Sequence, residues 1–241
     1  MGDKTALVTG ANKGIGYETA RQLRRLGYRI WLGCRDDFRG RKATEKLLSE
    51  GLDVRFLKID VTDDDSVQAA AAVVRKADGK LDILINNAGI LGNVPTVPSK
   101  EDIENVRTVF DTNVFGPIRV THAFLPLLKS AGDAQIVMVS SGLGSLGLLS
   151  DPNSRVYRSN ILGYNSSKSA LNAVTVAFAK DLSSTGVRVN SVDPGYTATD
   201  FTAYAGTRTV EEAAAGIVWL VTHEAPAPTG GYYYDCEPQP W

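Results

Sequence analysis

Tyr164 and Lys168, in the run Tyr164-Asn165-Ser166-Ser167-Lys168, are the pair whose residue types and spacing could do chemistry. A phenol and an ammonium group one helical turn apart can act as an acid–base unit, because a nearby cation favours the phenolate. The stretch following Leu162 reads as a helix. Leu171, Val174, Phe178 and Leu182 recur at three- and four-residue steps, and Tyr164 and Lys168 fall at the N-terminal end of that apolar stripe. A stripe of this kind faces a core, where an ammonium group is costly unless something pairs with it. The plainer reading of a Tyr-x-x-x-Lys taken alone is a lysine that snorkels to solvent beside a packed ring. Whether the pair works as a unit depends on what the remaining elements bring to it.

Composition narrows the classes. The 241 residues are 43% hydrophobic and 22% charged, with a formal net charge of -1, which fits one globular domain over residues 1–241. No basic block appears, so nucleic acid and anionic membrane are excluded as partners. Cys34 and Cys236 have no C-x-x-C partner, and His122 and His223 stand alone, so neither a disulfide framework nor a metal site is expected. Met1 leads straight into Asp3-Lys4 without a signal-like segment, and no apolar run approaches a membrane span. The expectation is a cytoplasmic protein.

Along the chain, strands alternate with helices. Strand-like runs lie at residues 5–9, 28–34, 54–59, 81–85, 134–139, 187–192 and 232–234, with helical patterns between them. Pro117 and Pro126 should kink or split the long helical stretch that contains Asn113, and Thr62 with Asp65 resembles a cap on the helix that runs to Lys76. This alternation predicts an α/β fold, a Rossmann-like doubly wound parallel sheet with helices on both faces. Ligands of such sheets bind beyond the carboxyl ends of the strands, where the Gly10 turn, Arg35, Asp60, Asn87 and Ser141 all fall.

The first of these ends is a glycine turn. Gly10, Gly14 and Gly16 follow a strand and open an amphipathic helix, the setting in which backbone N–H groups and a helix N-terminus meet a pyrophosphate. At the end of the second strand, Arg35, with Lys13 in the glycine turn, favours a 2′-phosphate and hence NADPH. Asp36 competes. It is placed to bind a ribose 2′-hydroxyl, to cap the next helix, or to pair with Arg39.

Thr9-Gly10-Ala11-Asn12-Lys13-Gly14-Ile15-Gly16, Asn86-Asn87-Ala88-Gly89, Asn113, Ser141, Tyr164 with Lys168, and Pro194-Gly195 occur in an order that resembles the short-chain dehydrogenase/reductase family over nearly the whole chain. The glycine turn, the Cys34-Arg35-Asp36 segment and the C-terminal run from Gly230 look closest to its carbonyl-reductase-like members. The resemblance implies reduction of a ketone or aldehyde by hydride from NADP(H), with a small carbonyl or alcohol as substrate. Tyr164 would be the general acid, and Lys168 would lower its pKa and hold the nicotinamide ribose. Ser141, rather than Ser140, would bind the substrate oxygen, and Asn113 would position a water leading from Lys168. Cofactor contacts carry over to Gly10, Lys13, Gly14, Ile15, Gly16 and Arg35 at the phosphate and ribose end, to Asp60 and Val61 at the adenine, and to Asn87, Ala88 and Gly89 on the adenosine side. Pro194, Gly195 and Thr197 would hold the carboxamide, and Thr199 completes the same Pro-Gly-x-x-x-Thr pattern as a cofactor contact. An NAD-linked alcohol or polyol dehydrogenase, and a non-catalytic dinucleotide-binding redox regulator, are the competing expectations. The stretch between Ser141 and Tyr164 is longer than the family's usual loop. Its residues 148–161 are expected to form pocket wall, with Leu146, Leu148, Ile161, Tyr196 and Phe201 as apolar lining. Assembly as a homodimer or homotetramer through the Tyr–Lys helix is what the family implies, and the inserted residues leave it open.

Overall fold

Strands that are apolar on both faces are satisfied only when helices cover both sides, and that is the arrangement of this chain. The structure is a computed structural model that describes residues 4–93, 97–223 and 229–241; the first three residues, on which the expectation of no leader segment rests, lie outside it. β1 (Thr5–Val8), β2 (Arg29–Cys34), β3 (Arg55–Lys58), β4 (Ile83–Asn86), β5 (Ala134–Val139), β6 (Val187–Asp193), β7 (Tyr232–Tyr234) and β8 (Glu237–Pro238) form one sheet, in the order β3-β2-β1-β4-β5-β6-β7-β8. All pairings are parallel except the last, between β7 and β8.

The helices are α1 (Gly14–Arg25), α2 (Asp37–Ser49), α3 (Asp64–Asp78), α4 (Ile103–Phe110), α5 (Gly116–Ala131), α6 (Leu146–Ser150), α7 (Leu162–Asp181) and α8 (Val210–Thr222). Alternation along the strands builds two cores. Leu7, Leu84, Ile136 and Val189 pack with Val74 of α3, Phe124 of α5 and Leu171 of α7. Their neighbours Val8, Ile85, Val137 and Val192 face the other way, onto Leu23 of α1, Leu47 of α2 and Ile217 of α8. Strand order reverses between β1 and β4, which opens a crevice at their carboxyl ends.

Two local expectations are refined, and one turn is new. The cap of α3 is Asp63, which accepts from the Ser66 N–H, whereas Thr62 donates to Asp60 Oδ1 (2.7 Å). The long helical stretch is split not at Pro117 itself but just before it, by a π-helical turn over Asp111–Phe115 that contains Asn113. Pro117 then sits in the first turn of α5, where its missing N–H costs nothing, and α5 continues through Pro126. The β7–β8 hairpin turns on Asp235 and Cys236, both at positive φ (52° and 69°), a conformation that a cysteine does not signal.

Candidate functional site

The carboxyl ends of β1, β4, β5 and β6 converge on one cleft, and the sheet brings Tyr164, Lys168, Ser141, Asn113 and the glycine turn to it. Its β1–β4 floor is locked by side chains. Thr9 Oγ1 accepts from the N–H groups of Asn87 and Ala88 (3.0 Å each), and Asn87 Nδ2 donates to Thr9 O (2.8 Å). Gly10, at φ 64°, lies so close to this floor that a Cβ would meet the Ala88 Cα at 2.9 Å. Gly14 also has positive φ. Lys13, the N-cap of α1, makes no side-chain cap, and the first turn of α1 carries no acidic residue. Backbone N–H groups of Gly14, Ile15 and Gly16 at an uncapped helix start fit a dinucleotide pyrophosphate.

At the other end of that cleft, Asp36 caps α2. Its Oδ1 accepts from Arg39 N (2.8 Å), and its Oδ2 stands 3.9 Å from Arg39 Nε. Arg35 and Arg39 are exposed and line the same opening. The Lys13 ammonium lines the same cleft and pairs with Asp200 (2.7 Å), which Tyr204 also contacts, so it ties the glycine turn to the 199–205 segment. Arg39 is the cation the sequence reading left out of the site. Its place one turn after Asp36 was legible, but only as a partner of that acid.

Asp60 and Val61 line the cleft after β3. Asp60 Oδ1 is held by the Thr62 N–H (3.0 Å) and hydroxyl, and Val61 O accepts from Arg119 (2.7 Å). Pro194, Gly195, Thr197 and Thr199 line the same cleft. A Cβ at Gly14 would touch Thr199 Cγ2 at 3.4 Å, so the turn after β6 packs on the glycine turn.

At the centre, α7 presents Tyr164 and Lys168 from its first two turns, both buried. Lys168 Nζ donates to Val139 O (2.7 Å) and lies 5.7 Å from the Tyr164 ring centre. The Tyr164 ring packs against Phe201 (5.6 Å between centroids). Ser140 and Ser141 part company. The Ser140 hydroxyl donates to Asn172 Oδ1 (2.7 Å) on α7, while Ser141 faces the cleft beside Tyr164. Asn172 Nδ2 in turn donates to Gly144 O (3.2 Å), and Tyr232 donates to Ser141 O, so the serine loop is fixed from α7 and β7. Asn113 Nδ2 donates to Ile90 O (2.9 Å) and Ser167 Oγ (3.0 Å), and its Oδ1 accepts from Ile90 N (2.8 Å). A Cβ at Gly89 would lie 3.3 Å from that Oδ1 and 3.7 Å from Lys168 Nζ, so glycine keeps open the space between the two groups.

The electrostatics of the pair are set first by burial. Burial pushes the Tyr164 hydroxyl above its ordinary value, a hydrogen bond with Ser141 draws it partly back, and Asp193 adds to the rise. Burial likewise pushes Lys168 down to about 8. Burial is thus the leading influence on both groups, because it penalises the charged form of each.

The inserted loop lines the cleft through Arg155, Val156, Ser159 and Ile161, with Tyr196 and Phe201 opposite. Leu146 and Leu148 are not part of that wall. Leu146 is exposed on α6, whose Gly147 N–H bonds Trp241 O (2.9 Å) on the outer side. Among the described residues no helix is long and apolar enough to cross a membrane, and no group of acidic, histidine or cysteine side chains could hold a metal.

Comparison with known proteins covers the whole of this architecture. Residues 4–209 match the family described as short chain dehydrogenase. A short-chain dehydrogenase of Penicillium roqueforti is 38% identical over 238 residues, covering 96% of this chain and 93% of its own. The (-)-isopiperitenone reductase of Mentha piperita is 34% identical over 301 residues, covering 95% of each. The crystal structure of an NADPH-bound carbonyl reductase from chicken fatty liver superimposes with a TM-score of 0.89 at 28% identity, covering 100% of both chains.

Proposed function

The chain belongs to the short-chain dehydrogenase/reductase family of oxidoreductases, and on that footing we propose that it reduces a ketone or aldehyde to the alcohol with NADPH, Tyr164 delivering the proton. The observation that carries this reading is the convergence of a buried phenol, a buried ammonium group and a cleft-facing serine at one end of the glycine-turn crevice. The bound cofactor supplies the hydride. Ser141 accepts the task of hydrogen-bonding the carbonyl oxygen as charge grows on it. A phenol raised by burial keeps its proton at neutral pH and is ready to give it to the nascent alkoxide, and Lys168 and Ser141 then stabilise the phenolate left behind. The space that Gly89 leaves between Asn113 Oδ1 and Lys168 Nζ is where we place the water that returns the proton. That the NADPH-bound carbonyl reductase superimposes over its full length supports both the cofactor and the substrate class.

NADPH rather than NADH follows from Arg35 and Arg39 at the β2 end, with the competing Asp36 carboxylate taken up by the N-cap of α2. A panel of ketones and aldehydes, followed by loss of NADPH absorbance, tests the reading; binding of NADPH without turnover on any member would overturn it. Arg35→Asp removes a cation and adds an anion where the phosphate is expected. NADPH affinity should fall by about 10–100-fold, with NADH affinity little changed. An unchanged preference between the two cofactors in that variant would count against the assignment.

A further inference from the structure

Asp193 ends β6 against the underside of the site, and its carboxylate is buried. A charge in that position needs partners. Oδ1 accepts from Gly195 N (2.9 Å) and so shapes the Pro194-Gly195 turn. Oδ2 accepts from Arg155 Nη2 (2.8 Å), a residue of the long loop between α6 and α7. The Arg155 guanidinium also lies 4.2 Å from the centre of the Tyr234 ring on β7. Arg208 lies 5.3 Å from the same ring and donates to the Tyr234 hydroxyl (3.2 Å). A Cβ at Gly142 would fall 2.9 Å from Asp193 Oδ2 and 3.2 Å from Arg155 Nη2, so the ion pair is pressed on the backbone directly after Ser141.

Resting on the proposed reduction at Tyr164, we infer that Arg155 and Asp193 form a positioning pair, in which the arginine of the long loop seats and neutralises a carboxylate beneath Ser141 and Tyr164 and so keeps the proton donor effective. The groups around the carboxylate are Arg155 from the loop, Tyr164 and Lys168 from α7, Tyr232 and Tyr234 from β7, and Arg208 beyond Tyr234. The field of Asp193 holds protons on Tyr164, Lys168 and Tyr232 alike, and Arg155 is the cation in contact with it that opposes this field. Without the arginine, the phenol would face an unpaired buried anion and become a poorer acid. The long loop therefore carries a counter-ion to the catalytic floor as well as forming pocket wall.

The test uses the full chain with Arg155→Ala, Arg155→Lys, Asp193→Asn and the double variant Arg155→Ala/Asp193→Asn. Arg155→Ala should lower kcat for carbonyl reduction by about tenfold and move the high-pH limb of the kcat profile up by about one pH unit, the two being the same free energy. NADPH binding, followed by its fluorescence, should stay within about twofold, because the pair lies away from the phosphate end. Arg155→Lys should fall between. The double variant should regain most of kcat and the wild-type limb, since the asparagine keeps the acceptor for Gly195 N without the charge. An unchanged kcat and limb in Arg155→Ala, or a loss that the double variant does not relieve, would overturn the pair. Should Arg155→Ala fail to fold, Asp193→Asn and the double variant decide: the double variant must turn over with the wild-type limb, and Asp193→Asn, which leaves the arginine without its anion, must carry the limb to lower pH. If the wild type binds NADPH yet reduces no carbonyl, the reduction itself fails. The pair is then judged by melting alone: coupling between the two substitutions upholds the seat it forms, and simple additivity refutes it.

Discussion

Tyr164→Phe is expected to lower carbonyl reduction by about 10²–10⁴-fold, the range for removing a positioned general acid, while leaving NADPH affinity within about twofold. The two effects should separate because the substitution removes one oxygen and keeps the ring. The contact with Phe201 depends on the ring, so α7 and the 199–205 segment should keep their places. No ready substitute stands beside it. The Tyr232 hydroxyl also approaches Ser141, but it donates to the Ser141 carbonyl, and burial together with Asp193 pushes it well above its ordinary value. Ser141 is a poor acid on its own and would be left to hydrogen-bond the substrate oxygen without passing on a proton. Single-turnover reduction and an NADPH titration on the same preparation check both halves. Undiminished reduction would remove Tyr164 as the donor, and a matching loss of cofactor binding would recast it as a structural residue.

The parts of the molecule that were legible from sequence are those fixed by short-range patterning. Apolar runs such as Leu81–Ile85 and Ala134–Val139 are buried on both faces, so they read as parallel strands, and the stripe through Leu171 and Leu182 placed α7 and the burial of its first turns. The gathering of Gly10, Asn87, Ser141, Tyr164 and Pro194 at one crevice followed from their positions at strand ends and from family resemblance. What stayed hidden depends on partners far apart in the chain. Asp193 follows the strand-like run at 187–192 with nothing beside it to signal an ion pair, and only the fold brings Arg155 to it from 38 positions away. Nothing local to Lys13 announces Asp200, 187 positions on, as its ion-pair partner. The net state of Tyr164 stayed hidden for a related reason. Spacing shows how near two groups lie, but not how much water is removed from both, and here desolvation outweighs proximity.

That balance leads to an expected conflict between stability and function at Lys168. Its amine is pushed from 10.5 down to about 8 by burial, with Asp193 opposing only in part. Between those two values the unfolded chain holds a proton that the native state has given up. Stability therefore rises with pH through that window, and below about pH 8 the native protein bears the full cost of a buried ammonium, on the order of 3 kcal/mol. Lys168→Met keeps the apolar stem and removes the charge. It also leaves Val139 O without its donor, a loss of about 1–2 kcal/mol. The difference should make the variant more stable than wild type at pH 7 by about 1–2 kcal/mol, or about 2–8 °C in Tm for a chain of this size. The advantage should shrink as pH climbs through 10.5, above which the wild-type amine is neutral whether folded or not. Carbonyl reduction should meanwhile fall by about 10²-fold or more, because the phenolate would lose the cation that stabilises it. Melting curves across that pH range, set beside turnover, test the argument. A variant less stable than wild type at every pH would mean that the ammonium group strengthens the fold where it sits, and the cost assigned to its burial would have to be withdrawn.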